Sequence, residues 1–208
     1  MYDPDQHHRR SIRLKGYDYS QSGAYFVTIC VQGLRFLFGN VVNGEMWLND
    51  AGRMIQATWE QLPQRFPTME SDAFVVMPNH FHAIVVIDDI TDVGQLPLQG
   101  QPQGIAPTKK PTLGDIVGAF KSITTVEYTR GVRQVHWLPF EGRLWQRNYY
   151  EHIVRSEKAL HHIREYIETN PARWDFDREN PNRKDVDEFE RWLEAYSTAR
   201  IGVHHENQ

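Results

Sequence analysis

Cysteine is nearly missing from this sequence: Cys30 is the only one in 208 residues. A single thiol builds neither a disulfide framework nor a cysteine-rich zinc site, so disulfide-stapled folds and thiolate metal modules are excluded. Long apolar runs are missing as well. None reaches the roughly 18 residues that a membrane span requires, so no transmembrane segment is expected. The stretch from Met1 to Arg10 is polar and holds no hydrophobic segment of the kind a signal peptide needs. A cytoplasmic setting is the expectation. There is no internal repeat, and a net charge of −4 argues weakly against a nucleic-acid binder.

What is present fits an ordinary globular chain. Hydrophobic residues make up 40% and charged residues 24%, enough for a full core in one domain with extra segments. The charges are unevenly placed. From Lys109 to Arg173 there are eleven Lys or Arg against seven Asp or Glu, and from Trp174 to Gln208 nine acids against five bases. The stretch His7 to Lys15 is basic without an acid. A basic arm and middle beside an acidic tail can present a local positive surface, although ordinary solvated faces would give the same counts.

Local patterns predict alternating strands and helices. Ala24 to Val31 is β-branched and aromatic after Gly23 and reads as a strand. Phe36 to Gly39 and Glu45 to Leu48, around Asn43-Gly44, read as short strands joined by a turn. Asn49 or Asp50 caps a helix to about Phe66. Phe74 to Met77 and His82 to Ile87 are one long strand, or two with a bend at Pro78-Asn79. Thr91 to Pro111 is rich in Gln, Pro and Gly and reads as a flexible excursion. Thr112 caps a helix to about Thr129, and Leu144 to Ile153 suggests another strand. Ser156 begins a helix to about Asn170, which Pro171 ends, and Asp185 to Arg200 suggests a last acidic helix. The sum is an α+β domain with a mainly antiparallel sheet and helices packed on it. Its expected bounds are a basic arm over 1–20, a domain over 21–174 with the excursion at about 91–111, and an acidic, partly helical extension over 175–208.

The chemistry is concentrated at His80-Phe81-His82, inside a run that is otherwise almost wholly apolar. Side chains alternate along a strand, so both imidazoles share a face, about 7 Å apart, and Phe81 takes the other. Such a pair can grip one metal ion. It is also found as core packing or as part of a zinc site. Tyr166 and Asn170 stand four apart on the helix from Ser156 and share a face. The Asn170 amide oxygen is a hard ligand suited to Mg²⁺ or Mn²⁺, so His80, His82 and Asn170 could form a site open to phosphate oxygens. Tyr166 would stand one turn away. A phenolate beside a divalent metal suits attack on a phosphodiester, giving a covalent phosphotyrosine and a free 3′-hydroxyl. A zinc hydrolase using the same histidines is a rival reading, but the chain has no HExxH motif to supply its partners.

Four stretches carry a family resemblance: Arg13 to Tyr19 followed by Gly23 to Cys30, Met77 to His82, Trp145 to Arg155, and Tyr166 to Pro171. Together, over roughly residues 11 to 174, the chain resembles the REP-associated tyrosine transposases, a group of HUH single-tyrosine transposases (HUH denotes His, hydrophobic, His). The resemblance implies a ferredoxin-like or RRM-like sheet, His80 and His82 on a divalent metal, Mg²⁺ or Mn²⁺, Asn170 as third ligand, and Tyr166 as nucleophile. It implies single-stranded DNA beside short hairpins as substrate, in a monomer or in a homodimer that exchanges the tyrosine helix. A hairpin-binding protein without catalysis would share these features. Tyr149 and Tyr150 are rival nucleophiles by residue type, better suited to sheet packing and base stacking. His152 is expected as a group behind the metal ligands or as a satisfied sheet histidine. For DNA holding, the candidates are Arg9, Arg10, Arg13, Lys15, Lys109, Lys110, Lys121 and Arg147, because phosphate contacts need only a long cation. The excursion and the acidic tail fall outside the shared pattern.

Overall fold

A computed structural model describes residues 17–88 and 110–198. Six strands and four helices follow in the order β1 (Gly23–Cys30), β2 (Gly39–Val42), β3 (Glu45–Leu48), α1 (Asp50–Arg65), β4 (Met69–Val76), β5 (His80–Ile87), α2 (Leu113–Val135), β6 (Tyr150–Val154), α3 (Glu157–Thr169) and α4 (Glu188–Thr198). A 3₁₀ segment, Asn170–Phe176, continues from α3.

The main sheet has the order β4-β5-β1-β6, and every neighbouring pair is antiparallel. With the β2–β3 hairpin set aside, the chain runs β1-α1-β4-β5-α2-β6. That is the βαββαβ path of a ferredoxin-like unit, in which the first and third strands lie at the centre. The expected α+β class with a mainly antiparallel sheet therefore holds.

Strand alternation divides the side chains between two layers. Phe81, Ala83, Val85 and Ile87 of β5 face α1 and α2, in a core with Trp59, Phe120 and Trp145. Phe26 of β1 and Ile84 of β5 face α3 and α4, in a second cluster with Ile163, Ile167 and Phe189. The helices start where the sequence places their caps. Asn49 accepts from Gly52 N, Thr112 and Asp115 form a reciprocal capping box, and Ser156 accepts from Ala159 N.

Several expectations change in extent, and the strand read over Phe36 to Gly39 lies instead at Gly39–Val42. The helix after Thr112 runs on to Val135, until His136 takes a left-handed conformation. Val132 packs on the core, and Gly131 lies so close to Trp137 that a Cβ would stand 2.2 Å from its ring. The strand expected from Leu144 begins only at Tyr150. Before it, Trp145 makes a single bridge to Val31. The chain there is held by Lys121, whose ammonium donates to the carbonyls of Gln146, Arg147 and Asn148 at 2.9, 3.2 and 3.2 Å. The run around Pro78 is two strands. Met77 N donates to His80 O at 2.9 Å, so Pro78-Asn79 is the tip of a tight hairpin and the histidine pair follows directly.

Candidate functional site

His80 and His82 lie on the sheet face covered by α3 and α4, and both are buried. Their rings are 4.4 Å apart, and each is gripped through Nδ1. His80 Nδ1 is 2.9 Å from Asn79 Oδ1, and His82 Nδ1 is 2.9 Å from Thr28 Oγ1. Thr28 is His82's register partner on β1, so the pairing of the central strands places that hydroxyl.

Helix α3 brings Tyr166 over the pair, with its hydroxyl 3.3 Å from His82 Nε2 within one chain. Arg164 on the same helix pairs with Asp72 at the β4 bulge, which ties α3 to the sheet. Asn170 caps α3 and is fully buried. The residue that sequence reasoning missed is Asp177, just past the 3₁₀ segment. Its Oδ2 accepts from Asn170 Nδ2 at 2.7 Å and from the Tyr166 hydroxyl at 3.1 Å. It also stands 3.9 Å from both His80 Nε2 and His82 Nε2. Potential ligand atoms of His80, His82 and Asp177 all lie within 4.8 Å of one another. Nothing in the sequence sets Asp177 apart from the other acids after Trp174, because its position depends on a turn without a periodic pattern.

The electrostatics are those of a small buried polar chamber. Burial holds His80 neutral, with a pKa near 3. Burial works against charge on Asp177, but the hydrogen bonds it accepts, among them that from Asn170, hold its carboxyl below the usual range. Burial, and then the charge of Asp177, push the Tyr166 phenol well above 10. Two buried acceptors, His80 Nε2 and Asn170 Oδ1, have no hydrogen-bond partner in the described structure. Two imidazole nitrogens and a carboxylate gathered beside an unpartnered lone pair fit a divalent cation.

The acidic segment closes the chamber. Phe189 of α4 stacks on Tyr166 with centroids 3.7 Å apart and planes 10° from parallel, leaving Tyr166 5% exposed. Asp187 accepts from Phe189 N and pairs with Arg173, so α4 is capped and anchored to the 3₁₀ segment.

The remaining expected residues fall elsewhere. His152 shares the site's face but lies in register with Phe26, beyond the His82 row, with its ring 5.4 Å from Tyr196. It stays outside the His80–His82–Asp177 group. Tyr150 packs edge-on against Phe26, and Tyr149 lies under the Lys121 ammonium, 5.6 Å from its ring centroid. Lys121, expected as a phosphate contact, directs its three donors at backbone carbonyls. Lys110 and Arg147 are exposed. Arg9, Arg10, Arg13, Lys15, Lys109 and most of the Gln-rich excursion lie outside the described residues. Among the described residues, no helix is long and apolar enough to cross a membrane.

A ferredoxin-like sheet with paired histidines facing a helical tyrosine defines the class of site. The chain is 43% identical over 180 residues to an uncharacterised protein of Haemophilus influenzae, a match covering 85% of this chain and 96% of that one. The two belong to one family. A second Haemophilus influenzae protein, provisionally named a REP-associated tyrosine transposase, is 23% identical over 159 residues, covering 75% of this chain and 74% of that one. This second similarity agrees with the resemblance read from the sequence. Among solved structures, a REP-associated tyrosine transposase bound to a REP hairpin matches with TM-score 0.47 and 18% identity, over 78% of this chain and 73% of that one. A protein of Deinococcus radiodurans, provisionally named a transposase, matches with TM-score 0.38 and 18% identity, over 75% and 95%. No protein-family model matches the chain.

Proposed function

We propose that the protein is a transposase-type enzyme that nicks and rejoins single-stranded DNA beside hairpins, with Tyr166 as nucleophile. The observation that carries this reading is the Tyr166 hydroxyl, 3.3 Å from His82 Nε2 and 3.1 Å from Asp177 Oδ2 in one buried chamber. A phenol merely packed in a core would not require two histidines and a carboxylate beside its oxygen.

In the proposed reaction the Tyr166 oxygen forms a bond to phosphorus as the bond from phosphorus to the 3′-oxygen breaks. The products are a 5′-phosphotyrosine and a strand ending in a 3′-hydroxyl. Asp177, to which the phenol already donates, is the nearest acceptor for its proton. The leaving 3′-oxygen gains a proton. Rejoining runs the same exchange backwards with another 3′-hydroxyl and needs no ATP, because the diester linkage is conserved. His80, His82, Asp177 and Asn170 would hold Mg²⁺ or Mn²⁺, which when bound supplies Lewis-acid charge stabilisation at the phosphate. Exposed Lys110 and Arg147, with the basic N-terminal arm, would serve as phosphate contacts, and an arm of this kind can lie in a groove of the hairpin stem.

The test is covalent trapping on a labelled single strand carrying a hairpin, with Mn²⁺ or Mg²⁺. Wild type should give an adduct that Tyr166→Phe abolishes while hairpin binding persists. An adduct surviving in Tyr166→Phe would move the role to another nucleophile. A second reading, hairpin binding without catalysis, draws on the cover that Phe189 places over Tyr166. Tight hairpin binding by a wild type that forms no adduct with either metal would favour it.

A further inference from the structure

The residue before the histidine pair holds the first histidine in one protonation pattern. Asn79 is fully buried, and its amide is engaged at both ends. Nδ2 donates to the Leu34 carbonyl at 3.1 Å and to the Glu179 carbonyl at 2.7 Å. An amide turned the other way would set its oxygen against two carbonyl oxygens, so these partners fix its orientation. Oδ1 is then the atom that faces His80 Nδ1, at 2.9 Å. An amide oxygen only accepts, so the imidazole proton must sit on Nδ1. A neutral imidazole has one N–H, which leaves Nε2 with a bare lone pair. That nitrogen is buried, has no hydrogen-bond partner and faces Asp177 Oδ2 at 3.9 Å.

We infer that Asn79 is a positioning residue that locks His80 in the Nδ1–H tautomer and so presents the Nε2 lone pair to a divalent cation. The inference rests on the metal site of the proposed function. His82 is not constrained in the same way, since its Nδ1 partner is the Thr28 hydroxyl, which both donates and accepts. The Asn79 amide has a second consequence. It holds the Glu179 carbonyl, two residues past Asp177, so one side chain orients a ligand on the sheet and fastens the segment that brings in the carboxylate. Partners that fix a ligand's tautomer in this manner commonly change metal affinity by about 10–100-fold when lost.

The first measurement is made on metal-free wild type labelled with ¹⁵N-histidine. Long-range proton–nitrogen correlations, with the His80 signals identified by their loss in His80→Gln, should show Nδ1 protonated and Nε2 bare. A protonated Nε2 overturns the inference. The second is calorimetric titration with Mn²⁺ of wild type, Asn79→Ala and Asn79→Asp. Asn79→Ala should bind about 10–100-fold more weakly. Asn79→Asp keeps an oxygen acceptor for Nδ1 but loses both donated bonds and sets a second oxygen against the two carbonyls, so it should bind more weakly than wild type yet more tightly than Asn79→Ala. Equal weakening in both variants would mean that Asn79 acts only through the two carbonyls it holds, and the inference fails. A wild type that binds no Mn²⁺ would remove the metal reading instead, and the tautomer measurement would still decide the positioning role. Because that measurement uses wild type, it also decides the matter if either variant fails to fold.

Discussion

Replacing Phe189 with Ala should release α4 from the chamber while leaving the sheet standing. Helix α4 has 11 residues, too short to persist alone in water. Its anchors are buried Phe189, Leu193 at the edge of the same cluster, and the Asp187–Arg173 pair. Truncating a buried Phe to Ala costs about 3–5 kcal/mol, of which a stacked partner such as Tyr166 supplies roughly 0.5–1.5. At about 1.4 kcal/mol per factor of ten, the undocked population should rise at least about a hundredfold. The assay is amide hydrogen exchange across 188–198, compared with β1 and β5. Exchange in α4 should accelerate by that factor, and exchange in the central strands should change less, because β1 and β5 share only Phe26 and Ile84 with the buried Phe189 cluster and are also held by Val27, Phe81 and Val85 in the other core layer. Since Tyr166 is only 5% exposed beneath Phe189, the variant should also form the DNA adduct faster. Unchanged exchange in α4 would refute the reasoning, for the stack could not then be what holds the helix.

Four further outcomes are expected. In Gly52→Ala, the added Cβ would lie 2.2 Å from the Phe38 carbonyl oxygen, so α1 must shift, and thermal melts should show a loss near the upper end of the roughly 1–3 kcal/mol typical of overpacking. His152 has its pKa lowered to about 4, by burial first and Arg155 second. The unfolded chain therefore binds more protons than the folded one between pH 6.5 and 4, and stability falls as pH falls through that window. After allowance for solvent screening, this amounts to about 1 kcal/mol at pH 5, which should vanish from the pH profile of His152→Gln in chelator. The Arg164–Asp72 pair is bidentate but partly exposed, so Asp72→Asn should cost less than about 1 kcal/mol in a denaturant titration. Asp177→Asn should weaken Mn²⁺ binding by more than the roughly tenfold seen when only an outer partner is lost, and should move the Tyr166 phenol back toward its ordinary range in an ultraviolet titration referenced to Tyr166→Phe. An unmoved phenol would mean that burial alone sets it.

The parts of this molecule that were legible in the sequence are those with a period. Alternation in β5 put His80 and His82 on one face and Phe81 in the opposite core. Helical spacing put Tyr166 and Asn170 together, and they meet at a common carboxylate oxygen. Cap residues located the starts of α1, α2 and α3. Asp177 escaped because it follows a 3₁₀ turn, where no repeat marks a direction. The backbone contacts of Lys121 were not legible because a lysine on an amphipathic helix looks the same in sequence whether it faces solvent or three carbonyls. The acidic stretch was expected to lie apart from the shared pattern, yet it contributes both Asp177 and Phe189 to the chamber. The helix was expected there, and Phe189, Trp192 and Tyr196 form one face of α4 through contacts at 5.4 and 5.1 Å.

The acceptors on Asp177 impose a condition on the chemistry. Oδ1 takes the Glu179 N–H at 2.7 Å, and Oδ2 takes both Asn170 and the Tyr166 hydroxyl. In this arrangement the phenol is a donor to a negative group, and the same negative charge raises its pKa. A phenol so held is a poor nucleophile at neutral pH. For the proposed reaction, positive charge would therefore have to enter the chamber, or Asp177 lose its hold, before Tyr166 could attack. Burial works against a proton on His80 as the source of that charge. With His80 Nε2 and Asn170 Oδ1 both buried and unpartnered beside that carboxylate, a divalent cation is the species the chamber is equipped to accept. Under the proposed function, the carboxylate would then link metal affinity to the reactivity of the tyrosine.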